Sequence, residues 1–242
     1  MADPAQSDPV PHTQEEHTKS LGDQLNWLRA GVLGANDGLV STAGIVVGVA
    51  GATSTVSTIF TAGLAGLVAG SLSMAGGEYV SVSTQRDTEQ AAIELEKWEL
   101  ENLPEQELDE LTQIYEARGI SPELARQVAE EVTARDALRA HSELELNIDP
   151  DALTSPWHAA GASFLAFAVG GVIPAAAILV PIDTWNVVIC VVAVLIGLVI
   201  TGYVSARLGK ADAKPAVMRN VVVGSLTMAI TWIVGRITGG VV

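Results

Sequence analysis

Cysteine and basic residues are scarce in this sequence, and several common catalytic motifs are missing. Its single cysteine, Cys190, lies in an uncharged apolar run, so the chain can form no intrachain disulfide. No cysteine cluster is present that could bind copper or structural zinc. There is no G-x-x-x-x-G-K-[ST] motif for ATP, no G-x-S-x-G motif and no Glu-x-x-His pair of the kind that di-iron proteins use. We therefore expect a protein that is not an enzyme and that contains no prosthetic group.

Lysine and arginine together number 13 against 28 aspartates and glutamates, which gives a formal net charge of −15. At the same time 49% of the residues are hydrophobic, a combination that does not suit one uniform core. The charge is concentrated, because residues 86–151 contain 19 acidic and 6 basic residues while the flanking segments are nearly neutral and apolar. This pattern predicts an acidic, water-exposed insert within an apolar membrane protein, for which we expect no nucleic-acid partner.

Five apolar segments are each long enough for a membrane-spanning helix, which needs about 20 residues. They are residues 30–52, 59–80, 157–182, 185–206 and 216–234. The predicted fold class is an all-α membrane protein with five transmembrane helices and a three-helix acidic insert between the second and third. In domains, we expect a disordered tail at 1–25, two spans at 26–82, the insert at 83–150 and three spans at 151–242. His12 and His17 in the tail could contact a metal, but we interpret them as ordinary residues of a flexible segment.

The basic residues of the short loops predict the orientation in the membrane. The loop between the fourth and fifth spans carries Arg207, Lys210, Lys214 and Arg219, whereas the loops between spans one and two and between spans three and four contain no base. Short loops rich in lysine and arginine stay in the cytosol. We therefore expect the amino terminus and the acidic insert to be cytosolic and the carboxyl terminus to lie on the opposite side.

Three residues with side chains able to bind metal lie in the first two spans. Asp37 stands in an otherwise uncharged segment, where a carboxylate costs about 2.5–3.5 kcal/mol on insertion scales, so an intramembrane acid indicates function. It could instead cap the helix near its cytosolic end. Met74 and Glu78 are four residues apart and share a helix face, and a thioether beside a carboxylate suits a borderline ion such as Fe²⁺. Met74 alone would also be consistent with core packing.

Pairs of acidic residues at helical spacing predict a metal site in the insert. A separation of three or four residues places both members of a pair on one side of a helix. The pairs are Glu96 with Glu99, Glu107 with Glu110, and His141 with Glu145. Carboxylates with one imidazole favour hard to borderline divalent ions. The alternative is that these residues form ordinary solvated helix faces, and spacing does not decide between the two.

Glycines four residues apart predict close helix packing within the membrane. They are Gly34 and Gly38, Gly44 and Gly48, and Gly66 and Gly70. Dimerisation and tight packing within one chain would both use them.

The segments ANDGLVSTAGIVVGVAGA and GLAGLVAGSLSMAGGEYVSVSTQRD, together with the glutamate-rich insert, resemble the vacuolar iron transporter family in its bacterial form. The likeness covers the chain from residue 26 to the end. It implies a homodimer of five-span subunits with a cytosolic three-helix metal-binding domain, exchanging Fe²⁺ or Mn²⁺ for protons. It also implies a multi-pass protein of a bacterial inner membrane, with the lipid bilayer, divalent ions and protons as its partners.

The resemblance further implies roles for individual residues. Asp37 and Met74 would line the translocation path, and the four glutamates of the insert match the family's metal-binding glutamates in spacing. Glu145, in an ELNI segment similar to a family ELGL, would be a fifth ligand.

Two departures from the family pattern bear on selectivity and proton coupling. Where well-studied members have a pair of methionines before the last glutamate, this chain has His141 and Ser142, which changes the softness of the ligands. Where some members have an acid eight residues before the path methionine, this chain has Gly66, which leaves the part of Glu78 open.

From these patterns we expect transport of divalent iron, or manganese, out of the cytosol by proton antiport. The insert would capture ions and pass them to Met74 and Asp37. One alternative is a membrane metal sensor or store that does not transport ions. This alternative assigns no functional role to Asp37. Another is an oxidoreductase that uses iron, which the missing Glu-x-x-His disfavours.

Overall fold

The computed structural model describes residues 21–181 and 185–240, and side chains from residue 31 onward. Within these ranges the chain forms seven α-helices and no strand. The helices are α1 (Leu21–Ala52), α2 (Val56–Asn102), α3 (Pro104–Ala117), α4 (Pro122–Leu144), α5 (Pro156–Ala177), α6 (Asn186–Leu208) and α7 (Ala213–Gly239). His12 and His17 lie outside the described residues.

Five of these helices are long and apolar enough to cross a membrane: α1 in its Gly31–Ala52 part, α2, α5, α6 and α7. Each overlaps one of the predicted spans, so the all-helical class and the five candidate spans are confirmed. The third span ends earlier than the predicted residue 182. Helix α5 contains Pro174 and stops three residues later, at Ala177.

Helix α1 lies at the centre and contacts all four other apolar helices. Its glycines allow backbones to touch: a Cβ on Gly38 would overlap the carbonyl oxygen of Phe167 on α5, and one on Gly170 would overlap that of Ala35. On α7, a Cβ on Gly235 would overlap the carbonyl of Gly48. The glycine pairs of the sequence therefore serve packing within the chain.

The outer faces of the apolar helices are hydrophobic, whereas the surface of a soluble protein is largely polar. Large aliphatic side chains such as Leu165, Val169, Ile196 and Ile230 are exposed. Contiguous apolar surface of this kind marks a membrane or protein contact, and its spread around α5, α6 and α7 suits lipid.

Helix α2 runs without interruption for 47 residues, and its sequence contains no proline. At 1.5 Å per residue it is about 70 Å long, more than twice the thickness of a bilayer's hydrocarbon core. Its apolar first half packs against α1 and α5, and its acidic second half extends away from them to contact α3 and α4. One rigid element therefore joins the apolar bundle to the acidic region.

The acidic region is completed by α3 and α4, whose boundaries follow predicted signals. Helix α3 begins at Pro104 and ends before Gly119, which has a positive φ of 89° that favours glycine. Helix α4 ends at Leu144 and is broken at Asp136, whose backbone is extended at φ −162° and ψ 90°. The Arg139 N–H donates to Asp136 Oδ1 at 3.0 Å, so this aspartate caps a short final segment.

Candidate metal site

Four side chains from three helices meet in the acidic region. Glu96, Glu107, His141 and Glu145 each offer one ligand atom, and these atoms all lie within 4.8 Å of one another. The Nδ1 atom of His141 is 3.1 Å from Glu96 Oε1, 3.4 Å from Glu145 Oε2 and 3.6 Å from Glu107 Oε2. The first three residues are buried and Glu145 is exposed, so the group is closed on one side and open on the other.

The local fold explains how residues far apart in sequence converge. Glu96 lies on the outer half of α2, and a single linking residue, Leu103, lets α3 begin at once so that Glu107 falls in its first turn. His141 lies in the last turn of α4 and Glu145 caps that helix. The carboxylate of Glu107 at a helix N-terminus interacts favourably with the helix dipole.

Burial and mutual repulsion make the carboxylates reluctant to ionise. Burial, followed by the charges of Glu145 and Glu107, raises the pKa of Glu96 from 4.5 to about 7. Burial also raises the pKa of Glu107, while a positive charge on His141 acts in the opposite direction. A divalent cation between these carboxylates would relieve the repulsion that raises the pKa of Glu96.

The chemistry of the donors fits a divalent ion. Glu96 Oε1 is buried without a hydrogen bond although His141 Nδ1 is close, so the site holds acceptor capacity that the protein itself does not use. Three carboxylates and one imidazole form an oxygen-rich set suited to Fe²⁺, Mn²⁺ or Zn²⁺ rather than Cu⁺. His141 Nε2 is likewise buried without a partner, which leaves Nδ1 as the nitrogen that faces the carboxylates.

Two predicted ligands of the insert lie outside this group of four. Glu99 is partly buried and Glu110 is exposed. Their charges still contribute to the raised pKa values of Glu96 and Glu107, so both are near. Helical spacing placed each pair on one face, but only one member of each pair points at His141.

The structure places the three predicted membrane residues along adjoining turns of α1 and α2. A Cβ on Gly34 would lie 3.6 Å from the Met74 methyl, so Met74 sits one turn of α1 from Asp37. Glu78, one turn further along α2, is partly exposed. Asp37 is exposed on the surface of the single chain. Sequence reasoning missed Ser41, whose hydroxyl donates to Asp37 Oδ1 at 2.6 Å, although their separation of four residues was an available signal.

Five membrane-length helices, one of which extends into a cluster of carboxylates and an imidazole, define a membrane protein with a candidate metal site outside its apolar bundle. The chain belongs to the VIT family, whose sequence pattern matches residues 28–236.

Several relatives share most of the chain's length. A vacuolar iron transporter of Acanthamoeba castellanii is 44% identical over 222 residues, which are 91% of this chain and 82% of the relative. Vacuolar iron transporter homolog 2 of Arabidopsis thaliana is 34% identical over 93% of this chain and 91% of its own. Vacuolar iron transporter homolog 1 of Oryza sativa subsp. japonica is 38% identical over 89% and 75%.

Proposed function

We propose that this protein transports divalent iron, or manganese, out of the cytosol in exchange for protons, with ions first captured by the Glu96, Glu107, His141 and Glu145 cluster. The observation that carries the proposal is that Glu96, a buried member of this group, lies on α2, the helix that also enters the apolar bundle. Relatives named as vacuolar iron transporters support iron as the substrate.

Capture and passage occur at separate places along α2. Glu96 and Glu78 are 18 residues apart on this helix, which corresponds to about 27 Å. Met74 lies about 6 Å from Glu78 along α2, on the side away from the insert. Met74 approaches α1 at Gly34, and Asp37 lies about 4.5 Å further along α1 into the bundle. Glu78, Met74 and Asp37 thus form a series of ligands leading from the insert side into the bundle.

A groove continues from Asp37 and offers a route to the far side. It encloses about 620 Å³ between α1 and α7, and its walls include Ser41 with Thr227, Thr231 and Thr238. Each of these threonine hydroxyls donates to a backbone carbonyl of its own helix, so its oxygen still has a lone pair for a passing cation. Proton exchange would take place on the carboxylate of Asp37.

The exposure of Asp37 supports a homodimer. A carboxylate on the outer surface of a membrane helix would face lipid, which is costly, unless a second protein surface covers it. A second copy packed over the groove would enclose Asp37 and turn the open groove into a closed path.

The orientation of the protein in the membrane is proposed from the basic residues of its short loops. The basic loop between α6 and α7 favours a cytosolic position for that loop and, across an odd number of spans, for the acidic region and the amino terminus. A bacterial inner membrane remains a prediction, since the relatives described above come from an amoeba and plants and are named for the vacuole.

The test is Fe²⁺ flux in liposomes containing the purified full chain, with and without a pH gradient. We expect Fe²⁺ flux that follows the pH gradient. Asp37→Asn should abolish this flux while metal binding to the insert persists. Glu94→Gln should leave the flux unchanged, because Glu94 is exposed on α2 outside the cluster. Metal binding without flux in the wild type would instead establish a sensor or store. Normal flux in Asp37→Asn would refute the path.

A further inference from the structure

A small polar cavity lies at the end of the apolar bundle where the basic loop joins α6 to α7. It encloses about 240 Å³, and its polar lining consists of Asn36 from α1, Ser205 from α6, and Arg219 and Asn220 from α7. Its apolar lining includes Leu33, which is 58% exposed on the outer surface of the bundle. The cavity therefore opens where polar groups meet the lipid-facing surface.

The polar groups of this cavity offer hydrogen-bond donors. The Thr201 hydroxyl accepts from Asn220 Nδ2 at 3.4 Å, and its one proton is shared between the Leu198 carbonyl oxygen at 3.2 Å and Asn36 Oδ1 at 3.5 Å. Asn36 Oδ1 faces Thr201, and the Asn36 Nδ2 donors have no partner in the part of the chain that the structure describes. Together with the guanidinium of Arg219 and the hydroxyl of Ser205, these donors suit an anion.

Arg219 itself requires a counterion. It lies six residues into α7, about 9 Å from the helix start, which is near the boundary between headgroups and hydrocarbon. Among the described side chains, those of residues 31–181 and 185–240, no carboxylate forms an ion pair with Arg219 or with Arg207, Lys210 and Lys214 of the same loop. An unpaired cation at that depth attracts the anionic headgroups of the adjoining leaflet.

A second, apolar groove adjoins the cavity along α7. It encloses about 380 Å³ and is lined by Val217, Met218 and Val221, with Lys214 at its outer end. A chain-like apolar surface below a cationic head is complementary to a phospholipid, whose acyl chains lie below its phosphate. Met218 is 56% exposed and directly precedes Arg219, so the groove and the cavity lie on neighbouring sides of the same turn of α7.

We infer that the cavity between α1, α6 and α7 binds the phosphate headgroup of an anionic phospholipid through Arg219, Asn36 and Ser205. The acyl chains of this lipid lie against Leu33 and the groove of Met218. The inference holds whether or not the protein transports metal, since none of the residues used belongs to the metal cluster.

The experiment is native mass spectrometry of the delipidated full chain, titrated with phosphatidylglycerol or with phosphatidylcholine of the same acyl chains. We expect a preference for phosphatidylglycerol of about tenfold or more, because both lipids offer a phosphate to Arg219 but the choline of phosphatidylcholine brings a second positive charge beside the cations of the basic loop. Arg219→Gln should abolish the preference. Arg236→Gln at the opposite end of α7, where the guanidinium lies over the Trp232 ring, should preserve it.

Further arms separate the cavity from other sources of binding. Ser205→Leu keeps every charge but fills the cavity, so it should also abolish the preference even if Arg219→Gln fails to fold. Equal losses in Arg219→Gln and Lys210→Gln would indicate diffuse attraction to the basic loop and overturn the inference. Displacement of the lipid by millimolar inorganic phosphate would identify a free-anion site and overturn it as well.

Discussion

At the scale of single residues, Glu96 is the most constrained group outside the apolar bundle. Its side chain is 2% exposed, and its pKa of about 7 in the folded protein exceeds the ordinary value of 4.5. The folded state therefore keeps a proton that the unfolded state releases between pH 4.5 and 7, and stability falls as the pH rises through this window. Above pH 7 the loss of stability is complete.

Glu96→Gln should consequently stabilise the metal-free protein above pH 7 and have little effect near pH 4.5. Thermal unfolding in detergent at pH 5 and pH 8 measures this difference. Glu94→Gln, an exposed acid on the same helix, is the matched control and should change neither value. A stabilisation by Glu96→Gln that is no larger at pH 8 than at pH 5 would contradict the assignment of a buried, protonated carboxyl.

The same raised pKa predicts how metal binding depends on pH. Because Glu96 must lose its proton to bind an ion, Mn²⁺ binding should release a proton below pH 7. The affinity for Mn²⁺ should then fall about tenfold for each unit by which the pH is lowered. Calorimetric titrations in two buffers of different ionisation enthalpy count the protons released. Glu107, whose pKa is also raised by burial, adds to the dependence, so a pH-independent affinity between pH 5 and 7 would count against the cluster as the binding site.

At the scale of elements, the break in α4 decides whether His141 reaches the carboxylates. Asp136 ends one helical segment and caps the next, which carries His141 five residues later. Without this cap the final segment loses a hydrogen bond to its first turn, a loss of about 1 kcal/mol.

We expect Asp136→Ala to weaken Mn²⁺ binding several-fold, because the ligand-bearing segment frays when it is uncapped. Asp136→Ser, which retains a capping oxygen, should restore most of the affinity. Titration of both variants beside the wild type, with circular dichroism to follow helix content, provides the comparison. Equal affinity in Asp136→Ala and the wild type would mean that packing alone holds the segment.

At the scale of the whole molecule, the exposed Asp37 and the groove beside it predict where a second copy binds. Ser41 lies on the same face of α1 and lines the groove, whereas Leu165 is exposed on α5. The native Cys190 is buried and is common to both variants below.

Ser41→Cys should therefore give a disulfide-linked dimer in native membranes on mild oxidation, because symmetry brings equivalent positions near the axis to the Cα separations of about 4.4–6.8 Å that a disulfide requires. Leu165→Cys should form no disulfide crosslink under the same conditions. Non-reducing electrophoresis distinguishes them. Crosslinking through Leu165→Cys but not Ser41→Cys would place the interface elsewhere and leave Asp37 without cover.

The apolar runs, the uninterrupted α2 and the stops at Pro104 and Gly119 were all predictable because they depend on neighbours within a few residues. The pairs of glutamates were predictable as faces of helices but not as ligands. Glu99 and Glu110 share faces with Glu96 and Glu107 yet lie outside the group that closes around His141.

By itself the sequence determined that this is an all-helical chain with five membrane-length helices and one acidic region, because hydropathy and helical periodicity are local properties. Only the tertiary structure decided which acids surround His141, that Ser41 donates to Asp37, and that Asn36, Thr201 and Asn220 connect three helices. Helical spacing fixes the side of a helix on which a residue lies. The angle at which helices meet, set here by the Leu103 link, the Asp136 break and the glycine contacts of α1, decides what that side faces.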